Sequence, residues 1–322
     1  MKKILIAGPG CSGSGAVLDF LKARNDTFIP FKDEEFRIVN DPSGINNLEK
    51  NFYDNFSINN SSDCYAKFNQ FCKKLTKFKN RQNQKTYPKE FKNIYKKYLS
   101  EIIYLSYNGM PRFQKFNLNL IDKIIFYFSS IVLKKKIENI NLYKMILPIE
   151  KSNFVNISKK FIEDILFYSN DKIDNKIAII DQGVNIFNLN ENLKYFSNSK
   201  CILTVRDPRG TFHTLMKLKK QNIAQAYQGM DLIKFVEWYK FIYDKIIQIE
   251  LNKNNTLIVK FEDFIINHHS TSKKIFDFLN LESQNTSFNI KKSLTNVNDV
   301  EKEIGEKNLQ YIKSKLKDYL TY

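Results

Sequence analysis

Short apolar runs alternate with amphipathic segments at both ends of the chain. The runs that predict buried strands are Lys2–Ala7, Thr27–Phe31, Lys176–Asp181, Cys201–Val205 and Thr256–Lys260. Segments with helical spacing lie between and after them, among them residues 232–251 and 306–320. Strands that are separated by helices pair in parallel. The pattern therefore predicts an α/β fold, a three-layer domain with a central parallel sheet between helices.

The middle of the chain has a different pattern. Between about residues 59 and 170 the apolar spacing is mostly helical and lysine is frequent. The segment Lys67–Lys97 holds eleven basic residues and one acidic residue, Glu90. Two explanations fit such a run: a solvated helix surface, or a row of basic side chains beside an anionic acceptor. We predict a core of residues 1–58 and 171–322, interrupted by a helical, lysine-rich insertion of residues 59–170.

Composition narrows the classes of function. The formal net charge of +17 would attract polyanions. Lysine, asparagine, isoleucine and phenylalanine are all abundant, as AT-rich codons produce, so codon bias explains part of this charge and nucleic acid is disfavoured as a partner. The four cysteines form no C-x-x-C pair and there are three histidines. This usage indicates a reducing, cytoplasmic compartment and no metal site.

The apolar runs are too short for a leader or a membrane span. The first run breaks at Gly8-Pro9-Gly10, before it reaches the length of a signal-peptide core. The stretch Ile124–Leu133 contains two serines and cannot span a bilayer. Three lysines, Lys134–Lys136, follow it, which leaves peripheral contact with a membrane surface open.

The first strand leads into a loop of small residues. After Ala7, the segment Gly8–Gly15 reads G-P-G-C-S-G-S-G, and Ala16 continues into a helix. Glycines let backbone N–H groups converge, and the helix dipole adds partial positive charge, so the loop predicts a phosphate cradle. Ser14 stands where a P-loop of the form G-x-x-x-x-G-K-[ST] carries its lysine. The loop fits phosphate binding without ordinary ATP hydrolysis.

A second polar motif follows the strand that ends at Val205. The segment Arg206–Thr214 reads R-D-P-R-G-T-F-H-T. Arg206 directly follows the strand, and Thr214 lies eight positions later, two turns into the helix that comes next. Both motifs follow parallel strands, so they fall at the carboxyl edge of the sheet, where such folds bind ligands.

The two motifs in this order resemble the donor site of sulfotransferases that use 3′-phosphoadenosine-5′-phosphosulfate (PAPS). In that family a [KR]-S-G-[TS]-[TS] loop binds the 5′-phosphosulfate. The arginine of an R-[DN]-P-[RK] segment and a hydroxyl eight positions later hold the 3′-phosphate. The segment Leu257–Phe264 is similar to the family's V-x-Y-E-D-L strand, and Lys274–Leu281 is similar to its closing helix. The resemblance covers about residues 1–36 and 176–322. The residues that it assigns to donor binding are Cys11, Ser12, Gly13, Ser14, Gly15, Ala16, Arg206 and Thr214.

Cys11 departs from the family pattern. The family loop usually has lysine or arginine at this position, where it stabilises the bridging oxygen as sulfate leaves. A thiol cannot supply that charge, so the resemblance implies another cation, with Lys32, Arg37 and Arg209 as the nearby candidates. Family members transfer sulfate directly, which disfavours Cys11 as a nucleophile.

The resemblance also implies a base that takes the proton of the acceptor. Some members use a histidine, and others use a glutamate after the first helix. Glu35 and then Glu34 are the candidates of the second kind, and a solvated acidic turn explains them equally well. His213 is a further candidate, although it points about 100° away from its neighbour Thr214 on a helix. Asp181 ends a strand at the same edge and is a candidate for orienting the acceptor.

The resemblance thus implies an enzyme that moves a sulfuryl group from PAPS to a hydroxyl or amine acceptor and releases 3′,5′-adenosine bisphosphate without a metal. The basic insertion of residues 59–170 favours a carbohydrate or glycolipid acceptor and is expected on the acceptor side. Two alternatives stay open. One is a nucleotide or sugar kinase with a degenerate loop, which would need Mg²⁺. The other is a non-catalytic nucleotide-binding or nucleic-acid-binding protein, although the sequence shows no RNA-module aromatics or helix-turn-helix spacing.

Overall fold

A computed structural model of the chain describes residues 1–31, 35–80, 83–109, 120–128, 143–168, 176–223, 225–284 and 300–321. The strands of this part are β1 (Lys3–Ala7), β2 (Thr27–Phe28), β3 (Ile103–Gly109), β4 (Tyr143–Pro148), β5 (Ile177–Asp181), β6 (Ser199–Val205) and β7 (Thr256–Lys260). The helices are α1 (Ser14–Lys22), α2 (Ile45–Glu49), α3 (Ile58–Leu75), α4 (Phe91–Glu101), α5 (Leu120–Tyr127), α6 (Lys151–Tyr168), α7 (Leu189–Leu193), α8 (Pro208–Lys220), α9 (Leu232–Ile247), α10 (Phe261–Ile266), α11 (His268–Leu279), α12 (Val300–Ile304) and α13 (Glu306–Lys315).

Five strands form a parallel sheet in the order β2-β5-β1-β6-β7. The central strand β1 pairs with β5 on one side and β6 on the other, and Ile6 lies opposite Asp181 and Ile202. The strands alternate with helices along the chain, so the predicted α/β fold with a central parallel sheet is confirmed. Because the register aligns the ends of β5, β1 and β6, the segments that follow these three strands meet at one edge.

Helices cover the sheet. Every residue of β1 is buried, as expected for a parallel strand with both faces covered. Ile4 and Ile6 pack in a cluster with α1, α10 and α11. Phe20 of α1 has its ring centroid 5.4 Å from that of Phe264 and 5.2 Å from that of Phe276. These apolar contacts fix the direction of α1 and therefore the loop before it.

A second apolar cluster joins α8 and α9 to the last helices of the chain. Phe212 and Phe235 pack with their ring centroids 5.0 Å apart. Ile304 of α12 and Ile312 of α13 are buried in the same cluster. The cluster holds α8, which carries the R-D-P-R motif at its start, against the C-terminal segment.

The chain divides into two compact units. Met1–Arg37 and Asn170–Tyr322 form one unit, and Ile38–Ser169 forms the other. Within the second unit, α4 packs on α6 and the rings of Tyr98 and Phe161 stack with their centroids 4.2 Å apart. The domain boundaries that the sequence indicated, at residues 58 and 171, stay a prediction.

The second unit contains a strand pair that the sequence did not indicate. β3 and β4 are antiparallel, with Ser106 opposite Ile146, whereas the spacing predicted helices here. Tyr104, Leu105 and Tyr107 of β3 are all exposed. The strand therefore lacks the alternation of buried and polar positions by which a half-buried strand is recognised.

The segment considered for membrane contact is only partly described. Ile124 lies in α5 and is exposed, whereas residues 129–133 and Lys134–Lys136 lie outside the described residues. Within the part of the chain that the structure describes, no helix combines the length and the apolar character that a bilayer span requires.

Candidate active site

The loop after β1 is held in one conformation by the neighbouring strand. Cys11 and Gly13 have left-handed backbone conformations, with φ of 65° and 89°. Between them, the amide of Ser12 donates a hydrogen bond to the Pro9 carbonyl at 3.1 Å. The Ser12 hydroxyl lies 2.8 Å from the Thr204 hydroxyl of β6. This contact ties the centre of the loop to the strand that leads into Arg206.

The position immediately before α1, residue 13, requires glycine. A Cβ added to Gly13 would lie 2.2 Å from Cδ2 of Phe261, and the φ of 89° itself favours glycine. Gly13 is also the residue before α1, and no described side chain caps the first turn of this helix. At Gly15 an added Cβ would meet no atom within 4 Å among the described neighbours. A nine-residue helix with an open first turn is a favourable place for an anion.

Arg206 is a buried cation at this edge. Its Nη1 donates hydrogen bonds to Thr214 Oγ1 at 2.8 Å and to the Cys11 carbonyl at 3.4 Å. Its Cζ lies 4.3 Å from the centre of the Phe261 ring, and its Nε lies 3.8 Å from Glu262 Oε1. The structure thus brings together Arg206, Thr214 and the loop. The assignment of Arg206 and Thr214 to the 3′-phosphate stays a prediction.

Two tyrosines of α9 hold the backbone of Arg206. The hydroxyls of Tyr239 and Tyr243 donate to the Arg206 carbonyl at 2.6 and 2.9 Å. Their rings stack with centroids 3.9 Å apart. Burial raises the pKa of both phenols, that of Tyr243 to about 12. Both groups therefore stay protonated donors at neutral pH.

The other charged residues of the motif stabilise the start of α8. Asp207 accepts a hydrogen bond from the Arg209 amide at 2.9 Å, and its two oxygens pair with the Arg209 guanidinium at 2.8 and 2.9 Å. Arg209 Nη1 also lies 2.6 Å from Glu301 Oε1 of α12. The amide of Thr321 donates to Asp207 Oδ2 at 3.0 Å. Arg209 is thus paired with the carboxylates of Asp207 and Glu301, which explains why the motif has an arginine at this position.

Cys11 brings no charge to the loop. Burial raises the pKa of its thiol, and the opposing effect of Arg206 is smaller, so the thiol is neutral at pH 7. Arg37 has Nη1 3.7 Å from Glu35 Oε2, and Lys32 lies outside the described residues. Arg206 contacts the loop through the Cys11 carbonyl.

Two carboxylates lie near each other at the end of β5. Asp181 is the last residue of this strand, and its carbonyl accepts a hydrogen bond from the Phe36 amide at 2.9 Å. Burial, and then the charge of Glu35, raises the pKa of Asp181 to about 7. Its Oδ1 is buried and has no hydrogen-bond partner among the described residues. Glu34 lies outside the described residues, so its position is not compared with theirs.

Gln182 connects this carboxylate pair with the loop. Its backbone is left-handed, with φ of 49°, and its amide donates to the Ile6 carbonyl at 2.8 Å. Its Nε2 lies 3.4 Å from Ser14 Oγ, in the first turn of α1. Asp181 and the loop are therefore linked by a single residue across neighbouring strands.

His213 has a different partner from its neighbour Thr214. The His213 Nε2 is hydrogen-bonded to Glu303 Oε2 of α12, whereas Thr214 accepts a hydrogen bond from Arg206. The two side chains diverge around α8, as the helical rotation predicts. A catalytic role of His213 stays a prediction.

Tyr227 is a residue of this edge that the sequence did not indicate. A Cβ added to Gly10 would lie 2.1 Å from the Tyr227 hydroxyl, so the phenol closes over the loop. Burial, followed by the effects of Cys11 and Glu35, raises the pKa of Tyr227. It belongs to a 3-10 turn, Gln225–Tyr227, far along the chain from the loop. A single tyrosine in a short turn forms no motif, so its contact with the loop could not be predicted from the sequence.

The described residues give no sign of a metal centre. Among them, no group of three or more histidine, cysteine, aspartate and glutamate side chains is placed to hold an ion.

Comparison with known proteins identifies the family. A model of the sulfotransferase family matches residues 3–285. The match covers most of the chain, and the protein belongs to the sulfotransferase family. None of the curated protein sequences compared with it matches.

Three solved structures of sulfotransferases are similar to the chain at low identity. The sulfotransferase domain from the Synechococcus PCC 7002 olefin synthase is 11% identical, over 97% of this chain and 79% of that chain, with a TM-score of 0.39. The sulfotransferase domain from the curacin biosynthetic pathway is 13% identical, over 98% and 97%, with a TM-score of 0.42. A sulfotransferase from Mycobacterium avium is 9% identical, over 99% and 76%, with a TM-score of 0.40. Because these TM-scores are low, the family assignment rests on the family model.

The raised pKa of Asp181 predicts that Asp181→Asn stabilises the fold at alkaline pH. The folded-state pKa of about 7 lies above the ordinary value of 3.8. The carboxyl group therefore lowers the free energy of unfolding progressively as the pH rises from about 4 to about 7. Each pKa unit corresponds to about 1.4 kcal/mol, and asparagine does not ionise. Denaturant unfolding should show the variant to be more stable than the parent at about pH 8 and equal to it at about pH 4. A difference that is the same at both pH values would contradict this explanation.

Proposed function

We propose that the protein transfers a sulfuryl group from PAPS to a hydroxyl or amine acceptor, with a carbohydrate or glycolipid as the acceptor class. Membership of the sulfotransferase family supports the transfer reaction. The observation that best supports PAPS is the contact of Arg206 Nη1 with Thr214 Oγ1, at 2.8 Å, and with the Cys11 carbonyl, at 3.4 Å. This contact links the loop after β1 with the segment from Arg206 to Thr214. A donor that carries both a 5′-phosphosulfate and a 3′-phosphate needs two such elements side by side.

Each donor group has suitable residues in the chain. The loop amides and the open first turn of α1, from Gly13 to Ala16, suit the 5′-phosphosulfate. Arg206 and Thr214 suit the 3′-phosphate, because a guanidinium and a hydroxyl provide donors on one side of an anion. PAPS supplies an activated sulfuryl group on a phosphate leaving group. The chain itself binds and orients this group, and the nearby charge of Arg206 takes the place of a cation at Cys11.

We place the proton acceptor at the pair Asp181 and Glu35, and we favour Asp181. A base works best when its pKa lies near the operating pH, and the pKa of Asp181 is about 7. Its Oδ1 has no hydrogen-bond partner among the described residues, so no described group competes for a proton on this oxygen. Glu35 was the first candidate from the sequence. It is exposed and contributes by raising the pKa of Asp181.

The proposal also includes a compartment and an acceptor side. All four cysteines are free thiols, which is typical of a reducing compartment and supports a cytoplasmic location. No metal is part of the proposed reaction. The assignment of residues 59–170 to the acceptor side, and contact with a membrane surface, stay predictions from the sequence.

The proposed donor site predicts that Thr214→Val weakens the binding of 3′,5′-adenosine bisphosphate about two- to tenfold. Valine keeps the shape of threonine and removes one hydrogen bond, which is worth about 0.5–1.5 kcal/mol. Isothermal titration calorimetry measures the affinity directly. Thr271→Val is the matched control, because the Thr271 hydroxyl donates to the Asp263 carbonyl at 3.0 Å, in a different part of the fold. Equal affinities of both variants and the parent would argue against the assignment of Thr214.

The proposed base predicts that Asp181→Asn lowers kcat about 10²- to 10⁴-fold, the usual contribution of a general base. The affinity for 3′,5′-adenosine bisphosphate should change little, because asparagine removes only the proton-accepting charge. In the parent, turnover should rise with pH through about 7, as the Asp181 carboxyl loses its proton. Glu35→Gln should move this rise to lower pH, because it removes the neighbouring negative charge.

Two further variants make this assignment specific. Glu34→Gln and His213→Asn should each leave the pH dependence of kcat in place if Asp181 is the base. Turnover of Asp181→Asn at the parental rate would exclude Asp181. A collapse of activity in one of the other variants would then assign the base to that residue.

A further inference from the structure

A cavity of about 570 Å³ opens at the edge of the parallel sheet opposite the candidate active site. It lies where strands begin: Lys2 precedes β1, and Ser199 and Lys200 open β6. The loop of the active site follows the other end of β1. The cavity is therefore a separate place in the fold, and its volume is within the range of about 300–1,000 Å³ that small-ligand sites have.

The charged side chains around this cavity are all positive. Among the eleven described residues that line it are three lysines, Lys2, Lys194 and Lys200, together with five asparagines. None of the eleven is an aspartate or glutamate, although the chain contains 34 acidic residues. Lysine supplies charge to an anion, and asparagine amides both donate to and accept from hydroxyl groups.

Two of the lysines are held in place by the end of α11. Lys2 Nζ donates to the carbonyls of Leu279 and Asn280 at 2.5 and 3.3 Å. Lys200 Nζ donates to the Phe278 carbonyl and lies 4.7 Å from the centre of the Phe278 ring. These bonds satisfy carbonyls at the helix C-terminus, where cations are favoured. They also fix the ammonium groups, so a ligand would meet charges that are already positioned.

The fixed cations repel one another. Burial lowers the pKa of Lys2, the charges of Lys200 and Arg24 lower it further, and the charge of Asp26 has a smaller opposing effect. Arg24 is paired with Asp26, at 2.8 Å, while neither oxygen of that carboxylate belongs to the cavity wall. An anion bound in the cavity would relieve this repulsion, because opposite charges stabilise the protonated form of lysine.

We propose that this cavity binds a small sugar that carries a sulfate or phosphate ester. The ester oxygens pair with Lys2 and Lys200, and the asparagine amides pair with the sugar hydroxyls. The site is independent of the proposed transfer reaction, because it shares no residue with the donor loop or with Arg206. It gives the protein a ligand site apart from the proposed transfer site.

The binding test uses ¹⁵N-labelled protein at low ionic strength, titrated with glucose 6-sulfate, glucose 6-phosphate and glucose. We expect saturable shifts of the Ser199 and Asn280 amide signals with an ester, no such shifts with glucose, and no change at Gly13 and Gly15. Shifts with the sulfate alone or the phosphate alone support the site and identify its ester. Equal shifts with glucose, shifts confined to Gly13 and Gly15, or no saturable shifts would overturn the proposal.

Matched variants test whether the fixed lysines bind the ester. Lys200→Gln should weaken ester binding at least tenfold, as the loss of a charge-assisted contact does. Lys245→Gln is the control, because Lys245 also lies over a phenylalanine ring, 5.7 Å from the centre of Phe241, but outside the cavity. Equal losses in both variants would mean general charge attraction and would overturn the proposal.

A second variant covers the case in which Lys200→Gln does not fold. Asn254 lines the cavity and is exposed, so Asn254→Asp adds a negative charge there with little effect on the core. It should weaken ester binding, and circular dichroism verifies the fold. Unchanged ester affinity in folded Asn254→Asp would contradict the proposed site.

Discussion

The burial of one guanidinium organises the carboxyl edge of the sheet. Arg206 is 4% exposed, and an ionised group in the interior is costly unless it is paired and hydrogen-bonded. Its partners are the Thr214 hydroxyl, the Cys11 carbonyl, the Phe261 ring and the Glu262 carboxylate. These groups come from the loop, from α8 and from α10. The contacts that stabilise the buried charge of Arg206 therefore also fix these three segments. Gly13 and the stacked tyrosines of α9 allow the close packing around Arg206 that its burial requires.

The order of the strands separates charges across this edge. Arg206 follows β6, the small-residue loop follows β1, and Asp181 ends β5, and these strands are neighbours in the order β5-β1-β6. The guanidinium of Arg206 therefore lies on one side of the loop, and the carboxyl group of Asp181 lies on the other. In the proposed reaction, the donor phosphates lie toward β6 and the proton of the acceptor leaves toward β5. The neutral thiol of Cys11 makes the guanidinium beside the loop more important than it would be with a lysine in that position.

Local features of the site could be predicted from the sequence, and long-range features could not. The strand, loop and helix around Gly13 are contiguous, so composition and spacing indicate them. Arg206 and Thr214 lie on one turn and helix, and the resemblance to sulfotransferases singled them out. The proximity of Glu35 to Asp181 depends on the pairing of β2 with β5, and the position of Tyr227 depends on packing over the loop. Neither leaves a local pattern. The strand pair β3 and β4 was missed for a related reason, because β3 exposes apolar side chains and lacks a regular alternation.

The central claim is that Arg206 holds the 3′-phosphate of the donor. It is tested most directly by comparing the affinities of 3′,5′-adenosine bisphosphate and adenosine 5′-phosphate for the parent protein and for Arg206→Gln. A charge-assisted contact is worth about 1.5–3 kcal/mol, so the parent should bind the bisphosphate at least about tenfold more tightly, and the variant should lose most of this preference. Equal affinities of the two nucleotides for the parent, or an unchanged preference in a folded variant, would contradict the account.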